Sequence, residues 1–166
     1  MILQVPMRTL LIGCLMLLGA CASNAPLPAT PPDLQLPRQL HVQRIQGEQR
    51  QDWMLVIQRE DNALRWSLLD FLGIPQARQR LVDNQWHADG LLPPNPQARE
   101  LFAALLFALT RPDQLISRYP HAYVGASDRH LDERWAVHYR NADEFTLTLA
   151  HGLSYQISPL PEQSQP

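Results

Sequence analysis

The densest group of side chains able to do acid–base or metal chemistry lies in "SDRHLDERWAVHYR", residues 127–140. It contains His130, Asp132, Glu133 and His138. Zinc binding or proton transfer would need two or three such groups to converge. His130 falls in a predicted loop and His138 on the polar face of a predicted strand, so nothing in the spacing forces them together. The pattern favours solvated loop charges over a metal or catalytic site.

Other catalytic signals are weak. Ser67 and the Ser127-Asp128 pair lack the "GxSxG" context of a nucleophile elbow, and the seven glycines are too scattered for a phosphate loop. Arg78 and Arg80 alternate along one predicted strand. They either meet a lipid head group or acidic partner at a cavity mouth or form the wet face of that strand, which we favour. We therefore expect no catalytic residue, no metal and no cofactor, and a protein that is not an enzyme.

The N-terminal segment "LLIGCLMLLGAC", residues 10–21, is typical of an export signal. Its apolar run at residues 10–18 is about half the ~20 residues needed to cross a bilayer. "LGAC" matches the lipobox of bacterial lipoproteins, which implies cleavage after residue 20 and acylation of Cys21. The alternative is an ordinary cleaved signal with a chance cysteine.

Acylation would fix the protein to a membrane, because two or three acyl chains hold effectively permanently. Ala22 and Ser23 follow the cysteine instead of the aspartate that retains lipoproteins in the inner membrane. The resemblance therefore implies an outer-membrane location, facing the periplasm. We expect a signal peptide at residues 1–20, a lipidated Pro-rich tether at 21–37, a folded domain at 38–158 and a disordered tail at 159–166.

Composition excludes one class of partner. All 14 basic side chains are arginine, against 16 acidic residues, and the net charge is −2. The arginines are scattered singly, so the chain has no basic footprint for nucleic acid.

Alternation of apolar and polar residues predicts a sheet of about eight or nine strands. The alternating positions include Trp53-Leu55-Ile57, Leu64-Trp66-Leu68, Trp135-Val137-Tyr139, Phe145-Leu147-Leu149 and Leu153-Tyr155-Ile157. Hairpin turns are expected at Gly47-Glu48, Asp61-Asn62, Asp83-Asn84, Asn141-Ala142-Asp143 and His151-Gly152. Short strands joined by tight turns indicate an antiparallel meander that curls into an incomplete barrel.

One segment is helical instead. Asn95 can cap a helix with Pro96 at its first position, and Pro112 ends it. Residues 101–109 are all apolar, so this helix must be buried on every side. A second, shorter helix is expected at residues 112–120. The predicted fold is mainly β, an unclosed antiparallel half-barrel that encloses the apolar helix.

The enclosed interior has two interpretations. It is either a packed core or a cavity for an acyl chain or another long apolar ligand under a helical lid. The candidate cavity residues are Trp53, Leu55, Trp66, Leu68, Phe102, Leu105, Leu106, Leu109, Trp135 and Leu147.

Residues 50–109 resemble a family of small proteobacterial lipoproteins similar to LolA and LolB, the periplasmic carrier and outer-membrane receptor for lipoproteins. The resemblance rests on "LLDFLGIP", a returning strand that ends in "DNQW", and "LLPPN" before the helix, and it covers residues 36–157. It implies an unclosed barrel with helices in its concave face. It also implies lipid, acyl-chain or lipoprotein cargo and a periplasmic carrier protein as partner.

The same resemblance implies a role for one bend. LolB-like receptors carry a protruding loop with an exposed apolar residue that helps to pass acyl chains into the membrane. Here Phe71, Leu72, Gly73 and Ile74 occupy a strand-to-strand bend. They form either a membrane-dipping, cargo-handing tip or side chains that fold back onto the core.

Three functions follow as hypotheses. The first is an outer-membrane lipoprotein that binds and hands over a hydrophobic cargo. The second is a structural or accessory subunit of an envelope assembly with a solidly packed barrel. The third is an enzyme acting on lipid-like substrates, with His130, Asp132 and His138 as its candidates.

Overall fold

The computed structural model describes residues 25–160. The predicted signal peptide, Cys21 and residues 161–166 of the predicted tail lie outside the described residues. The strands are β1 (Arg38–Gln46), β2 (Gln49–Glu60), β3 (Ala63–Leu69), β4 (Pro75–Val82), β5 (Gln85–Ala88), β6 (Ala122–Val124), β7 (Asp128–Leu131), β8 (Trp135–Tyr139), β9 (Phe145–Leu149) and β10 (Ser154–Pro159). The α-helices are α1 (Pro96–Leu109) and α2 (Pro112–Arg118), and a 3-10 turn at Ala150–Gly152 joins β9 to β10.

All ten strands belong to one antiparallel sheet in the order β5-β4-β3-β2-β1-β10-β9-β8-β7-β6. The pairing of β1 with β10 joins the two halves of the chain at the centre of the sheet. β5 and β6 form the two edges and do not pair with each other, so the sheet is not closed. This arrangement confirms the predicted half-barrel, whereas the likeness to LolA and LolB stays a prediction.

The strand count exceeds the expected eight or nine because three strands are very short. β5, β6 and β7 have four, three and four residues, too few for alternation to reveal them. The longer strands bury the predicted faces, as with Leu55, Trp66 and Leu147. The predicted turns at Gly47, Asp61 and Asp83 are confirmed, and all three residues have positive φ.

α1 begins and ends where its sequence signals lie. The Asn95 side chain accepts a hydrogen bond from the Ala98 N–H at 3.0 Å, and Pro96 occupies the first turn. Thr110 follows the last residue, and its hydroxyl donates to the Leu106 carbonyl at 2.7 Å. Every residue from 101 to 108 is buried, which confirms a helix enclosed by the sheet. α2 follows at once, and its Leu115 joins the same core.

The predicted tether differs from the structure over residues 25–37, which we call the N-terminal strap. Pro28, Pro32 and Leu34 are buried there, and Leu27 and Leu36 pack against the core. Proline lacks an N–H, so a proline-rich extended segment can lie on apolar side chains without burying an unpaired donor. At the other end, β10 includes Pro159, which pairs with Leu40 and so lies in the sheet instead of the predicted tail.

Arg118 of α2 fixes the strap. Its Nη1 donates to the Thr30 carbonyl at 2.8 Å, the Thr30 hydroxyl at 2.5 Å and the Pro31 carbonyl at 2.6 Å. The Ala29 N–H donates to the Arg118 carbonyl at 3.0 Å, and the Asp33 N–H donates to the Gln114 side chain at 3.3 Å. The strap is therefore a part of the fold that runs beside α2.

Candidate functional site

The predicted cavity residues lie together in the interior. Eight of the ten are at most 2% exposed: Leu55, Trp66, Leu68, Phe102, Leu105, Leu106, Trp135 and Leu147. The other two, Trp53 and Leu109, are partly buried and pack against the same core. A void that could take water or an acyl chain would leave accessible area on the side chains around it. Seven of these eight side chains line none of the cavities described below, and the eighth, Leu68, lines one at the edge of the interior.

Aromatic rings fill much of this interior. Phe102 packs against Trp66 with ring centroids 5.5 Å apart, and Phe107 packs against Trp135 at 5.9 Å and Tyr119 at 5.1 Å. In this conformation the interior is a packed core, the first of the two interpretations. α1 occupies the space that a bound chain would need, so the role of these residues as a cargo wall stays a prediction.

Polar contacts hold α1 at both ends. Near its N-terminus, Glu100 accepts hydrogen bonds from Arg134 at 2.6 Å and from the Trp135 indole N–H at 2.6 Å. Burial alone would raise the pKa of Glu100, but these two hydrogen bonds outweigh burial and hold the pKa below its usual value. At the C-terminus, Arg129 donates to the carbonyls of Ala108 and Thr110. These contacts attach both ends of α1 to the hairpin of β7 and β8.

The bend between β3 and β4 exposes three large apolar side chains to solvent. Phe71 is 60% exposed, Leu72 86% and Ile74 54%. We call residues 71–74 the apolar tip. The sequence leaves open whether these side chains are exposed or fold back onto the core. In the structure they are exposed, and none of the three reaches the core.

Asp70 holds the apolar tip in shape. Its Oδ1 accepts hydrogen bonds from the Leu72 and Ile74 N–H groups, both at 2.9 Å, and its Oδ2 accepts from the Gln76 amide at 3.2 Å. Gly73 has φ of +81°, a left-handed conformation that favours glycine. The bend is therefore ordered by backbone and carboxylate hydrogen bonds. The Phe71 ring packs edge-on against the His41 ring at 5.6 Å, and all three apolar side chains keep more than half of their area exposed to another surface.

The polar cluster of residues 130–138 does not converge. His130, Asp132, Glu133 and His138 are all exposed. His138 contacts Asp128 at 2.7 Å, and this hydrogen bond holds the pKa of the Asp128 carboxyl below its usual value. Within residues 25–160, no three histidine, cysteine or acidic side chains are grouped so as to hold a metal ion.

The two arginines of β4 lie on the solvent-facing side of the sheet, which is the interpretation that the sequence pattern favours. Arg78 and Arg80 alternate with the buried Ala77, Gln79 and Leu81. Arg78 also forms an ion pair with Asp89 at 3.4 Å.

A cavity of about 600 Å³ lies beside the C-terminus of α1. Four arginines line it, but three of them already pair with acids and the fourth, Arg129, is only 8% exposed and binds helix carbonyls. The pairs are Arg38–Asp143, Arg111–Asp113 and Arg140–Glu144. Little positive charge is therefore left in this cavity for a ligand.

A second cavity, which sequence reasoning missed, lies at the N-terminus of α1 below the apolar tip. It measures about 360 Å³, and we call it the Arg44 pocket; its lining is Arg44, Gln51, Trp53, Leu68, Gln76, Asn95, Gln97, Ala98, Leu101 and Tyr155. The signal was present in β1, where Arg44 continues the inward alternation of Leu40 and Val42. A charged residue at an inward position is uncommon and points to a partner inside the barrel.

Among residues 25–160, neither helix has the length and apolar character to cross a membrane. No protein-family model matches the chain, and a search of curated proteins finds no match.

Proposed function

We propose that the protein is an outer-membrane-anchored periplasmic lipoprotein of the LolA/LolB type. It binds a hydrophobic, acylated or lipid-like cargo and hands it over in envelope lipid or lipoprotein trafficking. The observation that carries the proposal is the apolar tip, which Asp70 holds rigidly outside the core with Phe71, Leu72 and Ile74 exposed. Strand-to-strand bends are ordinarily polar, so such a tip needs an apolar partner.

The half-barrel supplies a second support. The apolar helix α1 lies inside an unclosed sheet. Because β5 and β6 do not pair with each other, α1 can shift toward the open side without breaking a strand pair. If α1 moves outward, the sheet face that it covers is apolar and can take an acyl chain in its place. Burial contributes ~25 cal/mol per Å², so a sixteen-carbon chain would be held by several kcal/mol.

The steps of transfer follow from this arrangement. The apolar tip enters the periplasmic leaflet of the outer membrane or the surface of a carrier, and the cargo chain passes between the sheet and α1. No covalent step is involved, so the protein acts as a carrier or receptor and not as an enzyme.

The test is a transfer assay with the mature chain from residue 21, made soluble by Cys21→Ser. The protein is loaded with a fluorescent fatty acid, mixed with phospholipid vesicles that contain a quencher, and followed in time. We expect saturable loading and transfer faster than spontaneous release of the fatty acid. No loading, or transfer that is independent of the protein, would contradict the proposal.

One observation favours a second function. The interior is filled in this conformation, as expected for a structural or accessory subunit of an envelope assembly that works only through its surface. The apolar tip would then be a contact site for a protein partner. In that case the loading assay fails, while site-specific crosslinking from the apolar tip in cells captures a protein.

A further inference from the structure

The Arg44 pocket combines a positive charge with unused hydrogen-bond capacity. Arg44 lies on the concave side of β1 and is directly opposite Tyr155 in β10 and Gln51 in β2. Its guanidinium donates to the side chains of Gln51 and Gln46, and its Nε has no hydrogen-bond partner. It also lies close enough to the Tyr155 phenol to lower the pKa of that group by its charge and by hydrogen bonding. Among the described residues, no carboxylate lies within 4.0 Å of Arg44, so its charge is not neutralised.

Tyr155 adds an unpartnered donor to the same pocket. Its side chain is 0% exposed, and its hydroxyl donates to no acceptor. Burial raises the pKa of Tyr155, although the charge of Arg44 and a hydrogen bond from Arg44 to the phenol oxygen oppose this, so the phenol stays protonated and can donate. A buried hydroxyl that donates to no acceptor destabilises the fold, and a bound acceptor removes that cost.

The N-terminus of α1 points its dipole at the pocket. Asn95, Gln97 and Ala98 of the first turn line the cavity. The positive end of a 14-residue helix favours an anion there. The nearest acid on α1, Glu100, is paired with Arg134 and Trp135 and so competes little for this position.

The other side of the pocket is apolar. Trp53, Leu68, Ala98 and Leu101 line it, and Leu68 lies near the end of β3, three residues before the apolar tip. Gln76 lines the pocket and also donates to Asp70 at 3.2 Å, so the pocket and the apolar tip share a wall. About 360 Å³ accommodates a head group and the first carbons of a chain, at the lower end of ligand-pocket volumes.

We propose that the Arg44 pocket binds the anionic head group, a carboxylate or a phosphate, of an amphiphile whose chain continues along the apolar wall toward the tip. Arg44 pairs with the anion, Tyr155 donates a hydrogen bond to it, and the helix dipole orients it. This inference deepens the proposed function, on which it rests, by naming the chemical class of cargo. It distinguishes anionic amphiphiles from neutral ones.

The test is calorimetric titration of the mature chain that carries Cys21→Ser with four probes below their micelle concentrations. The probes are dodecyl phosphate, dodecanoate, neutral dodecanol and inorganic phosphate. The variants are Arg44→Gln and Tyr155→Phe. Arg50→Gln is the matched control, since Arg50 lies exposed in the same β1–β2 hairpin and outside the pocket.

We expect both anionic amphiphiles to bind more tightly than dodecanol. Loss of a charge-assisted hydrogen bond in Arg44→Gln should weaken them about tenfold to a hundredfold, with dodecanol binding unchanged. Tyr155→Phe should weaken them several-fold. It should fold as well as the wild type, because it removes only a hydroxyl that donates to no acceptor, so it keeps the test decisive if Arg44→Gln folds poorly. Arg50→Gln should bind like the wild type.

Several outcomes would overturn the inference. Equal affinity for dodecanol and dodecyl phosphate would remove the anion preference, although the proposed cargo function would stand if the loading assay succeeds. Inorganic phosphate that binds as tightly as dodecyl phosphate would make the pocket a free-phosphate site without a chain. Unchanged affinities in both variants would place the anion elsewhere. Anion binding that depends on Arg44, combined with failed transfer to vesicles, would support the inference and refute the proposed function.

Discussion

Replacing Leu72 by glutamine should weaken membrane binding without harming the fold. Leu72 is the most exposed side chain of the apolar tip. The Asp70 carboxylate binds its backbone N–H and not its side chain, so the bend should keep its shape in the variant.

The magnitude follows from the exposed area. Leu72 is 86% exposed, and full burial of a leucine side chain contributes about 1.5–3 kcal/mol. Its transfer into hydrocarbon should therefore contribute about 1.3–2.6 kcal/mol. Since about 1.4 kcal/mol is a factor of ten, Leu72→Gln should lower the partition coefficient about eight- to seventyfold.

The assay is flotation of the unacylated chain, Cys21→Ser, with phospholipid vesicles over a range of lipid concentration. A matched pair supplies the control. Ile74 in the apolar tip is 54% exposed and Ile116 on α2 is 53% exposed, so Ile74→Gln and Ile116→Gln make the same chemical change at equal exposure. Ile74→Gln should weaken flotation, and Ile116→Gln should leave it unchanged.

Equal losses at Ile74 and Ile116 would mean that binding is a diffuse response to surface hydrophobicity. No loss in Leu72→Gln, with wild-type protein that floats, would mean that another surface meets the membrane. Either result refutes the membrane role of the apolar tip.

Three further predictions concern the contacts that position the site. Asp70→Ala removes two hydrogen bonds to backbone N–H groups, so amide exchange within residues 71–74 should become at least several-fold faster by NMR, while the melting temperature changes little. Unchanged exchange would mean that the bend does not need the Asp70 carboxylate. Arg118→Gln removes the contacts to Thr30 and Pro31, so limited proteolysis should cut residues 25–37 sooner than in the wild type, and equal rates would mean that apolar packing alone holds the strap. The pKa of Glu100 is lowered in the folded state, so its contribution is present above about pH 4.5 and lost as the pH falls through the folded value. Glu100→Gln should therefore reduce the free energy of unfolding in urea at pH 7 and flatten its acid dependence, and a parallel loss at every pH would contradict the ion-pair role of Glu100.

Much of the fold follows from local sequence rules. Apolar and polar residues alternate along each long strand because one face of a half-barrel is buried and the other faces solvent. In β3 the buried positions are Leu64, Trp66 and Leu68. Asn95 and Pro96 mark the start of α1 by chemistry that acts within one turn. The exposed tip is less determined, since apolar residues at a bend point outward or inward according to tertiary contacts. Asp70 decides this by capping the bend.

The remaining features depend on long-range packing. Prolines at residues 28 and 32 are equally compatible with a free spacer and with a buried strap. The contacts to Arg118 and the packing of Leu34 on the core select the strap. A list of apolar residues cannot say whether they meet each other or line a space, and here Phe102 and its neighbours meet. The Arg44 pocket depends on the β1–β10 register, which joins residues over a hundred positions apart in sequence.

Native mass spectrometry of the mature chain with Cys21→Ser, secreted to the periplasm and purified without detergent, tests hydrophobic cargo binding most directly. We predict a stoichiometric lipid adduct that an added fatty acid displaces and whose mass identifies an anionic amphiphile. A clean mass of the protein alone, with no uptake of added fatty acid, would mean that α1 is a permanent core helix, and would contradict the account.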